Sequence, residues 1–128
     1  MARIIFLCPF ARNELSGGIK TAYRQVELLG ELGLEAFIYQ PEGAPSWFDT
    51  RARILTDPRL TAAPGDIWVF PETLNGVLTE MVQSRLAARK LLFCQAHYYT
   101  LFNPIAPARY RELGFEKVAC QSAIAIRP

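Results

Sequence analysis

Hydrophobic positions along the chain switch between two periods. Arg3 to Cys8 (RIIFLC) is a nearly continuous apolar run rich in isoleucine. Such a run suits a strand covered on both faces, as in a parallel sheet. Pro9 and Asn13 mark the loop after it. From Ile19 the spacing turns helical: Ile19, Ala22, Tyr23, Val26 and Leu29 form one stripe, and Leu28 and Leu32 widen it. Lys20, Arg24, Glu27 and Glu31 fall on the other side, which predicts solvent there. Ser16 suits the N-cap of this helix, and Gly33 suits its C′ position, where a positive φ favours glycine. Glu35 to Gln40 (EAFIYQ) reads as a second strand closed by Pro41. Strand, helix and strand within about 40 residues make a βαβ unit with parallel neighbouring strands.

The pattern is least regular between residues 41 and 65, where prolines stand at 41, 45, 58 and 64. Ala52 to Thr56 predicts a short strand there. Asp66 to Phe70 (DIWVF) predicts a buried strand, introduced by the Pro64-Gly65 turn and stopped by Pro71. Leu74, Val77, Leu78, Met81, Val82 and Leu86 carry a helical stripe. Lys90 to Gln95 and Glu116 to Gln121 predict two further strands, and Pro107 to Gly114 a short helix between them. The alternation implies an α/β fold: a Rossmann-like open, mostly parallel sheet with helices on both faces. The chain ends in SAIAIRP, which begins another helix that seven residues cannot complete. We therefore expect residues 1–128 to be a single Rossmann-like domain cut from a longer protein, with a natural end and a short tail as the alternative.

Composition narrows the function classes. Apolar residues make up 51% of the 128 and charged residues 20%, which excludes a disordered chain. The net charge of +2, with no basic run, argues against nucleic acid as a partner. Anionic ligands and lipid surfaces stay open. The three cysteines, Cys8, Cys94 and Cys120, are odd in number and widely spaced, unlike a disulfide framework or a zinc site. Each closes a predicted strand, so we read them as small buried hydrophobes in a reducing compartment. No apolar run approaches the roughly 18 residues of a membrane span, and the N-terminus lacks the pattern of a signal peptide.

In an open parallel sheet, ligands bind beyond the carboxyl ends of the strands, near the point where strand order reverses. The residues that follow the predicted strands are Ser16, Gly17 and Gly18, then Glu72, then His97, Tyr98 and Tyr99, and finally Ser122. Gly17 and Gly18 leave the backbone bare at a helix start, where N–H groups and the helix dipole favour an anion such as a diphosphate. A tight turn, or close packing of helix on strand, explains a glycine pair equally well. His97, the only histidine, titrates near neutral pH and suits a base or a hydrogen-bond donor. Glu72 suits a sugar hydroxyl or a helix cap. Tyr98, Tyr99 and Phe102 suit stacking on a sugar, or ordinary loop packing. The dinucleotide fingerprint G-x-G-x-x-G and the P-loop lysine are both absent.

Taken together, RIIFLC, SGG, IKTAYRQVELLGELG and LEAFIYQ resemble the opening of the N-terminal domain of a GT-B glycosyltransferase of the large family 4 type. DIWVFPE, KLLFCQAHYYTLF and VACQS are similar to its later strands and acceptor loops. The resemblance implies a cytoplasmic, sugar-transferring protein, peripheral at the inner membrane face, in polysaccharide or glycolipid assembly. It implies that this domain holds a glycan or lipid-linked acceptor. A second, C-terminal domain, absent here, would bind the nucleotide-sugar. Gly17 and Gly18, with Ser16, then lie against the donor diphosphate and His97 near the reacting sugar. Glu72, Tyr98 and Tyr99 serve the acceptor, and no metal or other cofactor is needed. The fragment alone is expected to be inactive, and its exposed cleft wall leaves self-association open. Two alternatives stand beside this reading: a freestanding non-catalytic α/β ligand-binding or regulatory module, and the first half of a sugar-nucleotide epimerase.

Overall fold

The computed structural model describes residues 2–13, 15, 17–71, 89–94 and 115–120. Six strands form one sheet: β1 (Ile4–Leu7), β2 (Ala36–Tyr39), β3 (Ile54–Leu55), β4 (Ile67–Pro71), β5 (Arg89–Cys94) and β6 (Phe115–Cys120). Their order is β3-β2-β1-β4-β5-β6, and every pairing is parallel. This is the order of a doubly wound sheet, with its reversal between β1 and β4. The open α/β, Rossmann-like arrangement expected from the hydrophobic pattern is therefore present. The segments expected to form the second and third helices, 74–86 and 107–114, lie outside the described residues, as does the tail from residue 121.

Period-2 alternation sorts β1 between the two sheet faces. Ile4, Phe6 and Cys8 pack with Ile19, Tyr23 and Val26 of the helix α1 (Gly17–Glu31) and with Ala36 and Ile38 of β2. Ile5 and Leu7 fall on the opposite face, in register with β4, whose Trp68 is Cα partner of Ile5. Ile5, Leu7, Trp68 and Phe70 are all buried, so the central strands are covered on both faces. Burying such a side chain contributes about 1.5–3 kcal/mol, which is why a continuous apolar run was needed at β1. At the carboxyl ends, Cys94 and Cys120 close β5 and β6 as register partners.

The helix α1 begins at Gly17, directly after the residue expected to cap it. Its end is the expected one. Gly33 takes φ +84°, its N–H donates to the Gly30 carbonyl at 3.0 Å, and the Leu34 N–H donates to the Leu29 carbonyl at 3.1 Å. These two bonds make a Schellman end. Gly65, at φ +89°, turns the chain into β4 as the Pro64-Gly65 pair predicts.

Two expectations for α1 are corrected. Leu28 and Leu32 do not widen the buried stripe; they are 53% and 76% exposed. Glu27 is not solvated. Its side chain is 9% exposed and lies under the segment that leads to β3. No described helix is long and apolar enough to cross a membrane.

Candidate functional site

Because all strands are parallel, the carboxyl ends of β1, β2, β4, β5 and β6 share one edge. The residues singled out in the sequence follow those ends. Of them, Gly17 and Gly18 are described. Ser16, Glu72, His97, Tyr98, Tyr99, Phe102 and Ser122 lie outside the described residues. What can be compared is the placement of the strands that lead to them. Leu7 of β1 and Pro71 of β4 end on neighbouring strands at the order reversal, and β5 follows directly beside β4.

Gly17 and Gly18 form the first turn of α1. The described glycines with positive φ are Gly33, Gly43 and Gly65, so Gly18 is not a glycine because of a left-handed turn. That removes one of the two mechanical reasons for it. Gly18 is also partly exposed rather than sealed under side chains. The charges of α1 run against its dipole. Helix starts usually carry Asp or Glu, yet the first turn of α1 has no acidic residue and contains the exposed Lys20. Glu31 stands in the last turn, which holds no basic residue of its own.

Two loops wall this rim. The loop after β1 and the loop after β2 are stitched together by Arg12. Its backbone N–H donates to Glu42 Oε1 at 3.3 Å, and its Nε donates to the Ala44 carbonyl at 3.2 Å. Its own carbonyl accepts from the Ser46 N–H at 3.0 Å. Deeper in, Gln40 at the end of β2 donates from Nε2 to the Phe10 carbonyl. Phe48 then lies against α1. Its ring meets Tyr23 edge-on at 5.3 Å and Trp47 at 4.6 Å, with the Arg24 guanidinium 5.6 Å and the Lys20 ammonium 6.0 Å from its centre. Burial, with a lesser effect from the Cys8 thiol, pushes the Tyr23 hydroxyl well above its usual range, so it stays protonated.

Glu27 pins the far end of the same loop. It accepts from Thr50 Oγ1 at 2.6 Å, from the Arg51 N–H at 3.0 Å and from Arg24 Nη1 at 2.8 Å. Burial alone would raise its pKa. The bonds from Thr50, Arg24 and the Arg51 backbone, with the Arg24 charge, outweigh it and hold the carboxyl at about 2.

This folded-down loop is what sequence reasoning missed. The available signal was the Trp47-Phe48 pair inside the proline-rich segment, which has no periodicity to reveal its partner. A groove of about 300 Å³ also opens beside Val26, Gly30, Ala36 and Ala52. Ala36 begins β2, so the groove sits at the amino edge, away from Gly17 and Gly18. Its charged lining is already paired, Arg51 with Glu31 at 2.8 Å and Arg53 with Glu35 at 3.3 Å. We assign it no part in the site. No family model, no curated protein and no solved structure matches this chain.

Proposed function

We propose that the chain is the acceptor-binding domain of a cytoplasmic glycosyltransferase, working with a second domain that carries the nucleotide-sugar. The observation that supports it is the start of α1. Two glycines open a helix beside the strand-order reversal of a parallel sheet, and the first turn holds a lysine and no acid. Backbone N–H groups there, with the helix dipole, suit the diphosphate of a leaving nucleotide. In this reading Gly17, Gly18 and Ser16 stabilise the departing diphosphate, so no metal or other cofactor is called for. His97 serves the reacting sugar, and Glu72, Tyr98 and Tyr99 hold a glycan or lipid-linked acceptor. The acceptor brings the protein to the inner face of a membrane.

The test is sugar transfer by the full-length protein. Gly18→Val sets a branched side chain against the diphosphate, and His97→Ala removes the polar group nearest the chemistry. Each is expected to lower transfer at least a hundredfold while the far-ultraviolet spectrum stays that of the wild type. Wild-type rates in both variants would refute the assignment.

A further inference from the structure

Among the described residues, three buried polar atoms have no hydrogen-bond partner, all near the loop 41–50: the Tyr23 hydroxyl, Gln40 Oε1 and Trp47 Nε1. Buried polar atoms are nearly always paired, so three in one corner need an explanation. Intervening contacts connect the three. Tyr23 and Trp47 both meet the ring of Phe48, and Gln40 is fixed to the carbonyl of Phe10, which packs on the same core as Phe48. Tyr23 and Gln40 are respectively 0% and 2% exposed, at the carboxyl-edge side of β1 and β2.

The chemistry of the three atoms selects a ligand class. Gln40 Oε1 only accepts, Trp47 N–H only donates, and the Tyr23 hydroxyl does either. An anion would meet the Gln40 oxygen with repulsion, and a cation would meet the Trp47 N–H. A neutral molecule whose hydroxyls both donate and accept satisfies all three. The partly exposed rings of Trp47 and Phe48 add apolar surface for the C–H face of such a molecule.

We propose that this corner is a sugar subsite, entered when the loop 41–50 lifts, in which Tyr23, Gln40 and Trp47 hydrogen-bond the hydroxyls of one neutral monosaccharide unit. The inference rests on the glycosyltransferase reading and adds residues to it. The loop is anchored most firmly at its two ends. Its start turns through Gly43, at φ +91°, whose N–H donates to the Gln40 carbonyl at 3.0 Å, and its end is pinned by Glu27 to Thr50. Between these anchors the loop meets Arg12 through exposed contacts, at 3.3 Å to Glu42, 3.2 Å to the Ala44 carbonyl and 3.0 Å from the Ser46 N–H, and water replaces such surface contacts readily.

The experiment uses the indole N–H signals of the full-length protein, labelled with ¹⁵N. The 128 residues hold two tryptophans, and the signal lost in Trp47→Phe is that of Trp47. The probes are methyl glucoside, methyl galactoside and N-acetylglucosamine, with pyrophosphate as the anionic control. The expected result is a saturable shift of the Trp47 signal with at least one sugar and none with pyrophosphate. Tyr23→Phe, which keeps the packing, should weaken that binding about tenfold. A Trp47 signal that no sugar moves, yet that exchanges with bulk water, would show a hydrated corner only and overturn the proposal. A response to pyrophosphate alone would overturn it equally. Sugar binding here without any sugar transfer would remove the transferase reading and leave the subsite. Transfer at wild-type KM in both Tyr23→Phe and Trp47→Phe would remove the subsite and leave the reading.

Discussion

Arg3 holds Asp66 through both arms of its guanidinium, with Nη2 2.6 Å from Oδ2 and Nε 3.1 Å from Oδ1. The pair ties the residue before β1 to the residue before β4 at the amino edge, directly below the order reversal. Asp66 is 2% exposed and also accepts from the Ala63 N–H at 2.9 Å and from Trp68 Nε1 at 3.4 Å. Burial pushes its pKa up, but these bonds and the Arg3 charge prevail and leave it below the usual carboxylate range. Asp66→Asn should cost about 2–3 kcal/mol, because it leaves a half-buried guanidinium without its counter-charge. Urea unfolding of the variant beside the wild type measures it. A loss below about 0.5 kcal/mol would show that the pair does not hold the strands.

Glu27 gives the loop after β2 a pH dependence. Its pKa is held at about 2 when folded, against an ordinary 4.5. A depressed carboxylate stabilises the fold above its unfolded pKa and loses that contribution as pH falls through the folded one. The urea midpoint should therefore drop between about pH 4.5 and pH 2. Glu27→Gln should lower stability by about 1–2 kcal/mol at pH 7 and remove part of this acid slope. A variant whose acid profile overlays the wild type would contradict the role assigned to Glu27.

Gly30 of α1 and Gly33 just past its end should respond to alanine with opposite signs. Gly33 sits at φ +84°, where a Cβ is strained, so Gly33→Ala should cost about 1 kcal/mol. Gly30 lies inside the helix with nothing within 4 Å of a built Cβ. Gly30→Ala should stabilise by about 0.5–1 kcal/mol. Thermal unfolding of both variants checks the pair, and equal signs would contradict the helix end described.

The missing partners of Tyr23 and Trp47 predict an inverted cost. In the absence of ligand, Tyr23→Phe removes a buried hydroxyl that bonds to nothing. Stability should be unchanged or rise by about 1 kcal/mol. A loss of more than 1 kcal/mol in denaturant titrations would mean that the hydroxyl is already satisfied.

The strands were legible because each is a short apolar run between turn residues, and both sheet faces of β1 and β4 demand apolar side chains. Gly33 and Gly65 were legible because only positive φ explains a glycine just past a helix or in a Pro-Gly turn. The fate of Leu28, Leu32 and Glu27 was not. Periodicity gives the direction of the buried face but not its width, and the width depends on what the distant segment 47–52 covers. That segment lies over Glu27 and Tyr23 and leaves Leu28 and Leu32 bare. At the candidate site, the start of α1 at the carboxyl edge followed from the Gly-Gly position. The corner of Gln40 and Trp47 did not, because it depends on two loops meeting through Arg12, and no local pattern encodes such a meeting.

The amides of Gly17 and Gly18 test the central claim most directly. The 128 residues hold eight glycines, and Gly17→Ala and Gly18→Ala assign the two amide signals after selective ¹⁵N-glycine labelling. Titrating the full-length protein with a nucleoside diphosphate should shift the Gly17 and Gly18 amides together and saturably, and Gly18→Val should weaken that binding at least tenfold. Amides that stay in place while the ligand binds elsewhere, or a Gly18→Val variant that binds as the wild type does, would contradict it.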